Sequence, residues 1–399
     1  MKAVRHLTLG EVVKSADPGF ACGEHLPTGV VQLRMNNVSV SGGLDWSALR
    51  RVPASDSQLK KHSLASGDVV FNHTNSPELV GKTALFTGFR EPVLYSNHFL
   101  RLRVDKEVLH PRYLALWLNF QWKNRVFEKL CTQWVNQAAV RRDDLLELEI
   151  LLPDPTEQQR IAAILERADR LRGLRRFGLE TTDQVLQSAF SNMFDGSGAG
   201  SSWPVVELEE VAEVQGGITL NSRRQQMPLQ KPYLRVANVQ AGVLDLREVR
   251  LVGLTEDEFR KTRLERGDLL LVEGNGNPNE VGRGAIWEAA VPECVHQNHL
   301  IRVRCQAERV LPEFLLALVN GRHGREYFLR VGKTTSGLFT ISTSVVNSMP
   351  IPLPPLALQG RFRTLAKGVV NLRATHREAL RQADHLFQAL LQRAFTTGL

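Results

Sequence analysis

The chain has no apolar run approaching the roughly 20 residues that a membrane-spanning helix needs. Its opening, "MKAVRHLTLGEVVK", holds no apolar signal core, so export is not expected and a cytoplasmic setting is. Cysteine is scarce: Cys22, Cys131, Cys294 and Cys305 form no Cys-x-x-Cys pair, and no metal-spaced histidine pair follows them. They read as idle thiols in a reducing compartment, with no metal site. Catalytic signatures are missing as well. Gly81-Lys82-Thr83 and Gly332-Lys333-Thr334 end like a phosphate-binding loop, but Ser76 and Tyr327 stand where its first glycine belongs. Asn277-Pro278 is followed by Asn279 rather than by the proline and aromatic of an adenine methyltransferase. No paired-acid nuclease core stands out. No catalytic residue and no cofactor of this chain's own is therefore expected.

What is present is enough apolar material for real cores, 43% of 399 residues, and a net charge of +8 dominated by arginine. Such an excess suits a polyanion, usually nucleic acid. The chain is also written twice. "LRMNNV" (33–38) falls on "LRVANV" (234–239), "ELVGKTALF" (78–86) on "NEVGRGAIW" (279–287), and "SNHFLRLRV" (96–104) on "QNHLIRVRC" (297–305), each with a shift of 201. Each copy reads as a mixed α+β body of short strands separated by Gly/Asn/Pro turns, followed by a rod. One helix is expected within each body, Pro111 to about Leu130 and Pro312 to about Val331, with proline at its start.

The rods begin at "LLPDPTEQQRIAAILERAD" (151–169) and "PLPPLALQGRFRTLAKGVV" (352–370). In the first, Asp154 can cap, Pro155 can open and Glu157 can complete a capping box. Apolar residues recur at 3–4 spacing: Ile161, Leu165, Ala168, Leu171, Leu174, Leu179, Leu186 and Phe190, matched by Phe362, Ala366, Val369, Leu372, Thr375, Leu380, Phe387 and Leu391. A single-stripe helix of that length needs a partner, and the other rod is the economical one. The expected architecture is an internal duplication with pseudo-two-fold symmetry and two long antiparallel coiled-coil helices. The expected division is 1–153 and 204–354 as bodies, 154–194 and 355–399 as rods, and the Gly/Ser-rich stretch 195–203 as linker.

The rod starts, with their Pro-x-Pro…Gln-x-x-Ile-Ala-x-x-Leu pattern at Pro153, Pro155, Gln158, Ile161, Ala162 and Leu165, resemble the conserved regions of the specificity (S) subunit of type I restriction–modification systems. The ending "LLQRAFTTGL" is similar to that family's close. The second copy departs from the pattern with "LALQGRF" and carries Gly360 and Gly368 inside its helix. The resemblance implies a non-catalytic subunit whose two target-recognition domains each read one half of an asymmetric, split DNA target. It implies that the helices set the unread spacer and gather two methylation subunits, with restriction subunits as further partners. S-adenosylmethionine, ATP and magnesium would belong to those partners. The competing readings are the specificity portion of a fused or type II-like restriction–methylation system, and a two-domain scaffold that does not bind DNA.

Candidate DNA-binding residues lie in two loops of each copy. "FNHTNSPELVGK" (71–82) offers Asn72, His73, Asn75 and Lys82, and "VEGNGNPNEVGR" (272–283) offers Glu273, Asn275, Asn277 and Arg283. Asparagine can read adenine, and Arg or Lys can read guanine or phosphate. The loops after the inner helices offer Gln133, Asn136 and Arg141, and Lys333, Thr334 and Ser336. Arg34 and Arg235 also match; a phosphate contact or a structural salt bridge is open for both. On the first rod, Gln158, Gln159, Arg160, Arg175 and Arg176 are candidates for partner subunits, with a solvated helix face as the plainer alternative.

Overall fold

The computed structural model describes residues 5–133, 137–194, 203–335 and 337–396. The chain divides into two compact units, Met1–Arg175 with Ala379–Leu399, and Arg176–Glu378. Both units are mixed α/β. The expected linker at 195–203 lies almost wholly outside the described residues.

In the first unit, strand Val69–Asn72 is buried along its whole length. Alternate side chains of a strand point to opposite faces, so it feeds two cores. Val69 and Phe71 join Leu100, Leu102 and the helix residues Tyr113, Leu114 and Leu118. Val70 faces Val31, Leu33, Ala84 and Tyr95. The strand sits in a four-stranded antiparallel sheet ordered Val13–Pro18, Phe99–Val104, Val69–Asn72, Thr83–Leu85. A smaller sheet centres on Val30–Leu33, antiparallel to Arg51–Val52 and parallel to Val93–Tyr95.

The second unit has a four-stranded sheet of the same order: Ala212–Gly216, Leu300–Cys305, Leu269–Val272, Gly284–Ile286. Its smaller sheet centres on Leu229–Leu234, antiparallel to Arg250–Leu254 and parallel to Val295–His296. The single inner helix expected in each body is two helices in fact. Pro111–Lys123 and Val126–Leu130 are separated where Arg125 takes a left-handed backbone, φ 58°. Pro312–Asn320 and Arg322–Val331 are separated at Gly321, where a Cβ would press on the Ala317 carbonyl.

The first near-match to a phosphate-binding loop has a packing explanation, shared by the corresponding turn of the second unit. Gly81 and Gly282 have positive φ, 94° and 76°, and a Cβ at either would collide with the ring of Phe127 or Phe328. Glycine is required there by backbone and contact together. The Lys82 ammonium then turns inward and donates to the carbonyls of Val38 (2.7 Å) and Met35 (3.2 Å). Arg283 does the same work in the second unit, its Nε donating to the Val239 carbonyl at 2.9 Å.

Each long helix begins on a buried glutamine. Gln158 is fully buried. Its Oε1 accepts from the His110 N–H (2.8 Å), and its Nε2 donates to the carbonyls of Val108 and Pro153 (2.9 Å each). Gln359 is likewise fully buried. It accepts from the Leu311 N–H (2.8 Å) and donates to Arg309 (3.2 Å) and Pro354 (2.8 Å). The caps differ. Asp154 Oδ1 accepts from the Glu157 N–H at 3.1 Å, starting the helix Pro155–Phe194. The Glu157 carboxylate itself grips Arg160. At the helix Leu356–Thr396 the corresponding residue is Pro355, which offers only its carbonyl, to Gln359 at 3.2 Å.

Within the first unit, Ile161, Leu165 and Ala168 share a core with Phe387, Leu391 and Phe395. Arg172 pairs with Asp384 at 2.7 Å and lies over the Phe387 ring. Within the second, Phe190 packs on Phe362, while Thr182 hydrogen-bonds His376 at 3.0 Å. Rising numbers on one helix meet falling numbers on the other, an antiparallel contact. The expected apolar stripe is buried at its ends but opens in its middle. Leu171, Leu174 and Leu372 are exposed, and Thr182 is inside. Phe177, Val185, Val369 and Leu372 line an apolar groove of about 260 Å³ in the second unit.

Replacing Gln158 with Ala should destabilise the first unit by roughly 3 kcal/mol, because it leaves a buried N–H and two buried carbonyls without their partner. Gln158→Glu should fail too, since a carboxylate cannot donate to the two carbonyls. Urea unfolding of the variants against the parent checks both. A second expectation concerns acid. Burial holds the His296 imidazole down to about 4, against about 6.5 in an unfolded chain. The unfolded chain therefore binds its proton first as pH falls. His296 should cost stability progressively from pH 6.5 towards 4, up to about 3 kcal/mol, and nothing above that window. Tyr95 occupies the corresponding place in the first unit. His296→Phe should flatten this part of the pH–stability profile, as read by thermal unfolding across the window.

Candidate nucleic-acid interface

The two candidate loops of each copy, some 60 residues apart, come together as one small sheet. In the first unit Asn75 and Thr74 pair with Ala138 and Ala139, which pair with Gln133 and Thr132. In the second, Gly274 and Asn275 pair with Thr340 and Phe339, which pair with Lys333 and Thr334. Each is a three-stranded antiparallel blade with the later loop at its outer edge. Backbone bonds tie both blades to the frame: Val140 N–H donates to His73 O, and Ile341 N–H to Glu273 O.

This arrangement sorts the candidate residues. Gln133, Lys333 and Thr334 are exposed on the outer strands. Arg141 is exposed at the N-cap of the short helix Arg142–Leu146, 3.9 Å from Asp144. Asn136 and Ser336 lie outside the described residues. Arg34 is exposed and makes no ion pair among the described residues. Its charge and, more strongly, burial hold the His98 imidazole below the usual histidine range.

Several candidates belong to the frame instead. Asn72 is fully buried, and its amide bonds the Thr74 and His98 carbonyls (3.0 Å each) while its Oδ1 accepts from Asn75. Asn75 then uses its own Oδ1 on the Ser76 N–H, so neither amide has its full edge left for a base. His73 is half-buried against the Asn97 carbonyl, and burial lowers its pKa. Lys82 is buried, so its charge is not presented to a ligand, and desolvation lowers its pKa. Arg283 is committed to Val239 and to the Glu280 carboxylate. Arg235 pairs with Glu248 at 3.2 Å. Glu273 meets His299 at 3.1 Å. Asn275 and Asn277 each accept a backbone N–H two residues on, at 2.9 and 3.1 Å, and so shape the turn. Gln158 is withdrawn from any partner by burial. Gln159, Arg160, Arg175 and Arg176 are exposed, with Arg160 held by Glu157.

Three exposed residues of the blades, Thr132, Gln137 and Leu338, were not among the candidates. Leu338 is 48% exposed beside Gly337, whose φ of 81° closes the turn. The stretch "TTSGLFT" (334–340) carried the signal, a Ser-Gly pair between β-formers. Among the described residues, no cluster of three His, Cys, Asp or Glu could hold a metal, and no helix is long and apolar enough to cross a membrane.

Residues 56–178 match the family model of the type I restriction modification DNA specificity domain. The chain is 31% identical over 156 residues to the putative type I restriction enzyme MjaX specificity subunit of Methanocaldococcus jannaschii, a stretch covering 39% of this chain and 37% of that relative. It is 22% identical over 381 residues to the type I restriction enzyme StySPI specificity subunit of Salmonella potsdam, covering 91% of this chain and 81% of the other. The fold is that of the type I restriction–modification S subunit from M. genitalium, with a TM-score of 0.62 at 16% identity over 98% of this chain and 96% of that one. Residues 56–178 thus carry the pattern of the type I restriction modification DNA specificity domain, and the chain as a whole is similar in sequence and in fold to type I restriction–modification specificity subunits.

Proposed function

We propose that this chain is the DNA sequence-recognition subunit of a type I restriction–modification complex, reading a bipartite target with one domain per half-site. One observation carries the reading. In both units a common frame presents a three-stranded blade, and the exposed blade residues differ: Thr132 and Gln133 in one, Lys333, Thr334 and Leu338 in the other. A two-stranded ribbon fits the major groove, where base edges are distinguishable. Different side chains on matching blades give different half-sites, hence an asymmetric target.

In this proposal residues 1–153 and 204–354 are the recognition domains, 154–194 and 355–399 the spacer-setting helices, and 195–203 the linker between them. The chain is an internal duplication with pseudo-two-fold symmetry, and its long helices pair as an antiparallel coiled coil. The 201-residue register and the antiparallel contacts inside each unit support this. The helices also scaffold two methylation subunits, and two restriction subunits where the system has them. The exposed Phe177 and Leu372, lining an apolar groove, support a partner there. Gln159, Arg160, Arg175 and Arg176 supply polar contacts on the same helix. The chain itself catalyses nothing. Adenine-N6 methylation with S-adenosylmethionine, and cleavage with ATP and magnesium, belong to the partner subunits. The complex works in the cytoplasm.

Co-expression with a methylation subunit, followed by sequencing of the host's N6-methyladenine, is the direct test. A new asymmetric, split motif is expected, and exchanging residues 1–153 for those of another such protein should change one half only. A confirmed complex with no new methylation pattern would overturn the proposal. At residue level, Lys333→Ala should leave stability within about 0.5 kcal/mol but lower the slope of log affinity against log salt by about 1. Lys82→Ala should do the reverse, losing roughly 2 kcal/mol of stability from two orphaned carbonyls while leaving the salt slope unchanged. Salt-titrated DNA binding and thermal unfolding separate the two.

A further inference from the structure

The two blades match in register, and this isolates one position. Ala138 pairs with Gln133 and Phe339 with Thr334, so Gln137 and Leu338 occupy the same site at the tip of the inner strand. Both are exposed. In the second blade Lys333 pairs with Thr340, which puts Lys333, Thr340 and Leu338 on one face. Phe339 points the other way: it packs on the second core, and a Cβ at Gly332 would collide with its ring. The blade is thus anchored through Phe339, and Leu338 stands outward at 48% exposure, outside every core cluster of described residues. The only cation among those face residues is Lys333, which makes no ion pair among the described residues and suits a polyanion alongside.

Resting on the recognition role proposed above, we propose that this tip position determines one base pair in each half-site: Leu338 packs on the 5-methyl group of a thymine, and Gln137 reads an adenine. A leucine side chain has no hydrogen-bonding group and can distinguish bases in the major groove only by apolar contact, for which the thymine methyl is the available feature. A glutamine amide in the same place matches the adenine N6/N7 edge, one donor and one acceptor. The neighbouring Lys333 lies next to phosphate or guanine, and its counterpart Thr132 brings no charge.

The full chain, in complex with its methylation subunit, is given duplexes selected from a random library by binding. Each thymine of the selected target is then replaced singly by deoxyuridine, which lacks the methyl. One thymine, in the half-site lost when residues 204–354 are exchanged, should bind about fourfold more weakly as deoxyuridine, the weight of one buried methyl. Leu338→Ala should bind thymine and deoxyuridine alike there. Gln137→Ala should relax preference at one adenine of the other half-site by about tenfold. Both residues are exposed, so neither variant threatens folding. Deoxyuridine tolerated at every thymine, or a methyl effect that survives Leu338→Ala, would overturn the inference while leaving DNA recognition standing. Failure to select any target would overturn the recognition role and the inference with it.

Discussion

The structure depends on an amide with nowhere else to go. Gln158 has one oxygen and one NH2 group, and all of them are used inside the protein: one N–H accepted, two carbonyls served. Those partners come from the turn before the inner helix Pro111–Lys123 and from the end of the last strand, so one side chain fixes where the long helix leaves the body. Neither a carboxylate, with no donor, nor a leucine, with no polar atom, can do this. Gln359 repeats the arrangement on Leu311, Arg309 and Pro354. The capping residue varies around it, Asp154 in one copy and Pro355 in the other. That variation is tolerable because a lost side-chain cap costs about 1 kcal/mol, less than orphaning three buried groups.

A second constraint limits what the net charge means. Much of the arginine excess works inside the frame. Arg101 donates to the carbonyls of Lys61 and Ser63, and Arg302 to those of Lys261 and Arg263. Lys82 and Arg283 clasp the turn next to Val38 and Val239. Lysine and arginine differ in donor geometry, yet both reach the same backbone carbonyl position, Val38 in one unit and Val239 in the other. These cations are not free for a polyanion, whereas Lys333 and Arg34 are exposed and make no ion pair among the described residues.

The sequence therefore displayed the frame better than the interface. The proline at the start of each inner helix and the ends of the 3–4 stripe are local patterns, and these appear in the structure. The broken inner helices did not show, because Arg125 adopts a left-handed backbone that its identity does not announce. Asn72 looked like a loop residue within "FNHTN", but it ends a fully buried strand and is consumed by its own turn. Lys82 looked like a phosphate ligand, but the left-handed Gly81 before it turns the side chain inward. The blades were invisible for a different reason. Asn75 meets Ala138 across 63 residues, and no window along the chain contains that pairing. Two loops judged separately as candidates proved to be one surface.

That surface is built so that its outward residues can change without disturbing its interior. Strand pairing in the blade is main-chain bonding, indifferent to which side chain stands outside. Inward positions show the opposite behaviour, a change in one place matched by a change in another. Where the first unit has Cys131 and Ala138, the second has Gly332 and Phe339, and the glycine is needed because any Cβ there would strike the phenylalanine ring. Outward, Thr132 and Gln137 are exchanged for Lys333 and Leu338 with no such trade. Packing ties the inward residues to one another, whereas the outward ones answer only to what they touch in solution. Divergence confined to positions free of packing is what a recognition surface requires, since it lets the bound sequence change while the fold that presents it stays the same.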